Sequence, residues 1–296
     1  MPFSSSHLIL RALSLSAVVA LTAPAVVVAQ NAQASAEAPK KELSDKVSQA
    51  IEGLGKLQTE NKWDEVLTQL EALLATAQPI SYDTAFLSQF KVQALLAKQD
   101  YKGAIAPLET AINLSQKYGF FGERDLELLW LLAQLYGQEA SGDKDPEGQR
   151  AKYAKAYSTL RRWLDLSPKP NADAQYFAAS ILYNQAVFNP KEVDKSLMQQ
   201  ALVEAEKGLL LSIKPKEQFY MLLMSMNQQL GNYTKSAEYL ELLVREYPKN
   251  KSYWQYLLNA YLYMEDKGFT RAILTIQRAQ SHGVLNEKRD NFILVS

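Results

Sequence analysis

Apolar side chains recur along this chain at spacings of three and four, and polar breaks interrupt them about every fifteen residues, the pattern of amphipathic helices joined by short turns. Residues 217–250, EQFYMLLMSMNQQLGNYTKSAEYLELLVREYPKN, show it most clearly. The spacing predicts one helix over 218–230, a break at Gly231 and Asn232, and a second helix over 234–247 that Pro248 stops. Tyr220, Leu223 and Met224 make the apolar face of the first helix, Tyr233 follows the turn, and Leu240 and Leu243 continue the seam. The next segment repeats the pattern without a gap: Trp254, Leu257, Leu258 and Tyr261 stand where Tyr220, Leu223, Met224 and Asn227 stood. Its second helix arrives two residues late, with Phe269 in the turn slot of Tyr233 and Ala272 and Ala279 on the seam. A turn absorbs two residues where a packed helix does not.

Upstream, the same units can be followed. Ser44 and Asp45 are cap residues for a helix with Val47, Ile51, Leu54 and Leu57 on one face; after a turn at 60–62, Trp63 takes the slot of Tyr233 and Val66, Leu67, Leu70, Leu73 and Leu74 follow. In KQDYKGAIAPLETAINL, Tyr101 follows the turn, and Ala104 and Ala111 keep the spacing of Ala272 and Ala279. Pro107 lies inside that helix and is expected to bend it. A third pair places Leu126, Leu129, Trp130, Ala133 and Tyr136 before the polar string GQEASGDKDPEGQ, expected as a surface loop, then Tyr153, Ala156, Leu160 and Trp163. The fourth pair is predicted over 172–187 and 193–211, with a turn at Asn189 and Pro190.

A thirty-four-residue unit with a helical hairpin, an aromatic after its turn and a proline stop resembles the tetratricopeptide repeat (TPR) family. The fold this implies is all-α: a right-handed TPR-like superhelical solenoid of about six hairpins over residues 43–296, clearest at 85–118, 217–250 and 251–286. The chain then ends on NFILVS, which looks like the start of another first helix. Either a short cap closes the array there or the chain is a fragment of a longer one, and the second is our expectation.

The N-terminal pattern differs. Arg11 precedes an apolar run over 12–29, interrupted by Thr22 and Pro24 and followed by small residues, which reads as a signal peptide over 1–29 with cleavage after Ala29 or Ala34. An uncleaved membrane anchor is the rival reading, since about 20 apolar residues span a bilayer. Residues 30–42, rich in Ala, Gln, Lys and Pro, are expected as a flexible leader. After cleavage no apolar run is long enough for an integral membrane segment, so an exported protein is expected.

Composition narrows the chemistry. Lys plus Arg and Asp plus Glu both number 32, so no net field favours nucleic acid. There is no cysteine, which removes disulfides, thiolate catalysis and a lipid-modified N-terminal cysteine; of the two histidines, His7 and His282, only the second would survive export. A lone His282 beside a helix C-terminus is better explained by the helix dipole than by a catalytic triad. Asp143, Asp145, Glu147 and Gly148 imitate the start of a calcium loop, but the twelfth position is Ala154 where a glutamate is needed, and Pro146 stiffens the string. No phosphate loop or dinucleotide fingerprint occurs. The expectation is therefore a protein that is not an enzyme and needs no cofactor or metal.

What remains is surface. In TPR-like arrays the first helices line a concave face that holds a protein segment. In the two best-registered repeats its positions are Gln218, Met221, Ser225 and Gln228, then Ser252, Gln255, Asn259 and Leu262. This lining is rich in amides, uncharged, and lacks the Lys and Arg clusters that clamp a terminal carboxylate.

The phrases QALLAKQDYKGAIAPLETAINLS, ELLWLLAQLYGQ and YMLLMSMNQQLGNYTKSAEYLELLVREYPKNKSYWQYL also look like exported TPR proteins found with TonB-ExbB-ExbD energy-transduction systems. The resemblance covers most of the chain from residue 91 onward. It implies a periplasmic location in a Gram-negative bacterium and an accessory scaffold whose partners are periplasmic segments of TonB or ExbD. Two alternatives stay open on the residues alone: an adaptor in outer-membrane assembly or envelope biogenesis, and, disfavoured by the missing catalytic site, an exported hydrolase.

Overall fold

The computed structural model describes residues 38–286, apart from 170, 190 and 265 and the side chains of 266 and 267. The expected signal peptide, most of the expected leader and the final NFILVS segment lie outside the described residues. Among the described residues there are twelve helices and no strand. The all-α array of helical hairpins expected from the periodicity is therefore what forms. Contacts divide the chain into two compact units that meet at residues 141 and 142, and each is described by itself.

The first unit holds α1 (Asp45–Thr59), α2 (Trp63–Leu74), α3 (Tyr82–Ala97), α4 (Tyr101–Tyr118) and α5 (Arg124–Gly142). Short polar residues open three of them: the side chains of Ser44, Ser81 and Asp100 accept from the backbone N–H groups of Val47, Thr84 and Gly103. Helices pack in chain order, α1 on α2, α2 on α3 and α3 on α4, and a core of Val47, Leu54, Val66, Leu70, Leu87 and Ala94 fills the space between the first three. The phenol of Tyr136 on α5 donates to Glu109 of α4. Helix α4 runs unbroken through Pro107.

The second unit holds α6 (Pro146–Leu166), α7 (Ala172–Ala186), α8 (Lys195–Leu211), α9 (Glu217–Gln229), α10 (Tyr233–Glu246), α11 (Lys251–Leu262) and α12 (Asp266–Ser281). Each helix packs on the next, and α7 also touches α9, its successor as first helix of a hairpin. Such nearest-neighbour packing is the physical content of a solenoid: no hairpin buries its apolar face alone.

Three intra-hairpin turns are built alike. Asn61, Gln99 and Gly231 each adopt a positive φ, of 56°, 61° and 77°. In each turn the following residue donates its N–H back to a carbonyl five residues earlier, Lys62 to Leu57, Asp100 to Leu95 and Asn232 to Asn227. That is the Schellman closure of a helix end, and the next residue, Trp63, Tyr101 or Tyr233, starts the second helix. Counting from that aromatic, the third and seventh positions face the seam: Val66 and Leu70, Ala104 and Leu108, Ser236 and Leu240 are all fully buried.

Two expectations are corrected. The string GQEASGDKDPEGQ is not a loop: α5 continues to Gly142 and α6 starts at Pro146. Gly137 and Ala140 are buried, so the helix gains from continuing, and Asp145 caps α6 through the Gly148 N–H with Pro146 in the first turn. Phe269 does not open the last helix either. Helix α12 begins at Asp266, and Phe269 is half exposed inside it, although Ala272 and Ala279 are buried on the seam as expected. Gly268 explains the shift, because a Cβ there would lie 1.7 Å from the Tyr261 carbonyl oxygen. The two backbones of this hairpin approach where only glycine fits.

Candidate functional site: the first-helix faces of α9 and α11

Gln218, Met221, Ser225 and Gln228 are spaced three, four and three residues apart, which lines them up along one side of α9; Ser252, Gln255, Asn259 and Leu262 do the same on α11. The opposite sides of these helices hold the core. Phe219, Leu222, Leu223 and Met226 are buried on α9, and Tyr253, Trp254, Leu257 and Leu258 on α11. The seam thus fixes which residues are left to face outward.

The eight positions are not equivalent. Gln218, Ser252, Asn259 and Leu262 are exposed, whereas Met221, Ser225, Gln228 and Gln255 are half-buried. Met221 packs against the cluster that contains Tyr253, Trp254 and Leu257, so part of it belongs to the core. The Ser225 side chain hydrogen-bonds the phenol of Tyr183 on α7. The side-chain amides of Gln218, Gln228 and Gln255 have no hydrogen-bond partner among the described residues, which leaves donors and acceptors of both kinds facing outward.

Polar links between neighbouring hairpins hold the two stripes together. At the start of α11, Tyr253 donates its hydroxyl to Glu217 at the start of α9. Burial, and then the carboxylate, push that phenol well above its usual range. Lys216, just ahead of α9, pairs with Asp173 of α7 at 2.8 Å, and the rings of Tyr176 and Phe219 sit 5.0 Å apart between the same helices. On the second helices, Arg278 grips both oxygens of Glu241 at 2.9 Å while Tyr261 donates to the same carboxylate. Burial alone would raise the Glu241 carboxyl, but the bonds from Arg278 and Tyr261 outweigh it and hold it below the ordinary glutamate range.

Tyr220 and Tyr256 also pack, half-buried, against the same cluster. Tyr220 precedes Met221 and Tyr256 follows Gln255, so a purely amphipathic reading assigns both to the neighbouring face. The frequency of tyrosine, 16 in the chain, is the signal that could have drawn them in.

The other chemical candidates are engaged elsewhere. Asp143 binds Lys152 at 2.6 Å and the N–H of Asp145, whose own carboxylate caps α6. Among the described residues no group of three or more His, Asp or Glu could hold a metal. His282 directly follows the end of α12, its ring stacked on Trp254 at 5.7 Å, and its carbonyl accepts from Lys249. The geometry offers uncharged polar recognition along two neighbouring helices.

Comparison with known proteins adds little to this. No family model matches the chain, and no curated protein matches it. Twenty chains of solved structure do match. One of them, described as "MamA RS-1 ArsTM double mutant", aligns with a TM-score of 0.44 and 17% identity over 68% of this chain and 95% of its own. That likeness is too loose to bear on function, and the TPR-like fold rests on the pairing and packing of the helices themselves.

Proposed function

We propose that this chain is a non-catalytic scaffold that holds an extended segment of a protein partner across the first-helix faces of α9 and α11. The observation that carries the reading is the set of unpartnered amides at Gln218, Gln228 and Gln255, placed on two helices that the Tyr253 to Glu217 bond ties together. An extended peptide carries alternating N–H and C=O groups, and side-chain amides match both. Half-buried Met221 near the start of α9 and exposed Leu262 at the end of α11 supply apolar contact at two points along the stripes.

We further propose that the scaffold works in the periplasm as an accessory of a TonB-ExbB-ExbD system, with a periplasmic segment of TonB or ExbD as the partner. The support for this finer reading is the sequence resemblance alone. Co-purification from envelope extracts tests it: TonB or ExbD should be recovered with the protein, and recovery of neither would refute the assignment. Recovery of outer-membrane assembly factors in their place would favour an assembly adaptor.

A further inference from the structure

In the unit spanning residues 142–286, three loops join one hairpin to the next: 167–171 after α6, 212–216 after α8 and 247–250 after α10. The first two belong to the same string, Leu-x-Leu-Ser-x-Lys-Pro, at 164–170 and again at 209–215. Contacts place all three along one edge. Lys216 of the second loop pairs with Asp173, just past the first loop. Tyr253 ties the start of α11 to Glu217 at the start of α9, and its ring lies 6.1 Å from that of Tyr247 in the third loop.

This edge holds apolar side chains out in water. Leu210 is 87% exposed and Ile213 106%, with Leu166 at 56%, Leu211 at 41% and Tyr247 at 40%. Exposed lysines alternate with them, at Lys169, Lys214, Lys216 and Lys249. The acids nearby are largely occupied: Asp165 is bound by Arg161, Asp173 by Lys216 and Glu217 by Tyr253, while Glu246 is exposed. Lys169 and Lys214 have no carboxylate partner among the described residues.

The exposed apolar groups stand at the last turns of α6 and α8 and on the loops after α8 and α10, interleaved with lysines. They suit a surface that is apolar below and anionic above. We propose that this edge rests on a membrane of anionic phospholipid, with Leu210 and Ile213 entering the acyl boundary and Lys169 and Lys214 meeting the headgroup phosphates. The contact is peripheral, and no helix among the described residues is long and apolar enough to span. None of its apolar residues or lysines is among the eight residues of the α9 and α11 stripes, so either reading can fail without the other.

Because the chain has no cysteine, a single Ile213→Cys substitution in the full chain takes an environment-sensitive fluorophore at one place only. Phosphatidylglycerol-rich vesicles should shift its emission to the blue and brighten it, while pure phosphatidylcholine vesicles should not. Adding Lys169→Glu and Lys214→Glu should raise the lipid needed for half the signal at least about thirtyfold. A label on exposed Thr234 of α10 should stay unchanged. The proposal is overturned by no response at 213, by an equal response on both lipids, or by the same response at 234. A response that depends on protein concentration without vesicles would also overturn it, in favour of contact between two copies.

Discussion

Gln99 and Gly231 occupy the same backbone position, the left-handed residue between the two helices of a hairpin, with φ of 61° and 77°. Glycine adopts that conformation freely, whereas a side chain there costs about 1 kcal/mol or more. Gln99→Gly should therefore stabilise the hairpin of α3 and α4 by about 1 kcal/mol, read as a higher urea midpoint at unchanged slope. A lower midpoint would mean that the turn is held in some other way.

Gly208 of α8 is packed for the opposite reason. A Cβ there would stand 2.7 Å from the Phe219 ring and 3.0 Å from Cβ of Gln175. Gly208→Ala should destabilise by about 1 to 3 kcal/mol, since the ring must shift. Gly268→Ala should cost more, because its methyl meets a backbone carbonyl that cannot move aside. Thermal melts of the two variants give the order directly.

Ala272 is 3% exposed on the seam of α12. Replacing it with glutamate puts an unpaired charge into a close helix contact, at an expected cost of at least about 3 kcal/mol. An unchanged melting profile would show that the register of the last hairpin is wrong.

The network of Glu241, Arg278 and Tyr261 makes stability depend on pH at both ends. The folded Glu241 carboxyl titrates below its unfolded value, so its contribution is whole above the ordinary glutamate range and is lost as pH falls through the depressed value. Burial, followed by the Glu241 bond, pushes the Tyr261 phenol up to about 12. Its contribution is whole below about 10, the unfolded value, and is lost as pH rises through the folded one. Melting temperature followed across pH should show both limbs; Glu241→Gln should remove the acid limb and only reduce the alkaline one, because the burial of Tyr261 remains.

Much of this fold is legible in the sequence because each hairpin is local. The predicted helices at 218–230 and 234–247 lie within one residue of α9 and α10. Trp63, Tyr101 and Tyr233 mark three helix starts, since the Schellman turn before them is written in adjacent residues. Failures occur where a distant neighbour decides. Glycines and polar residues at 137–142 suggest a loop, but burial of Gly137 and Ala140 keeps them helical. Phe269 suggests a helix start until the fit of Gly268 against Tyr261 is known. The stripes on α9 and α11 follow from periodicity, whereas the bond of Ser225 to Tyr183 and the packing of Met221 depend on helices far along the chain.

The central claim is that the exposed sides of α9 and α11 hold a protein segment. Photo-crosslinkers placed singly at Gln218 and Gln255, and at Lys235 on α10 as a control, test it in the living cell envelope. The account predicts an adduct with one protein from both 218 and 255, identified by mass spectrometry as TonB or ExbD, and none from 235. No adduct from either stripe, or the same adduct from 235, would contradict it.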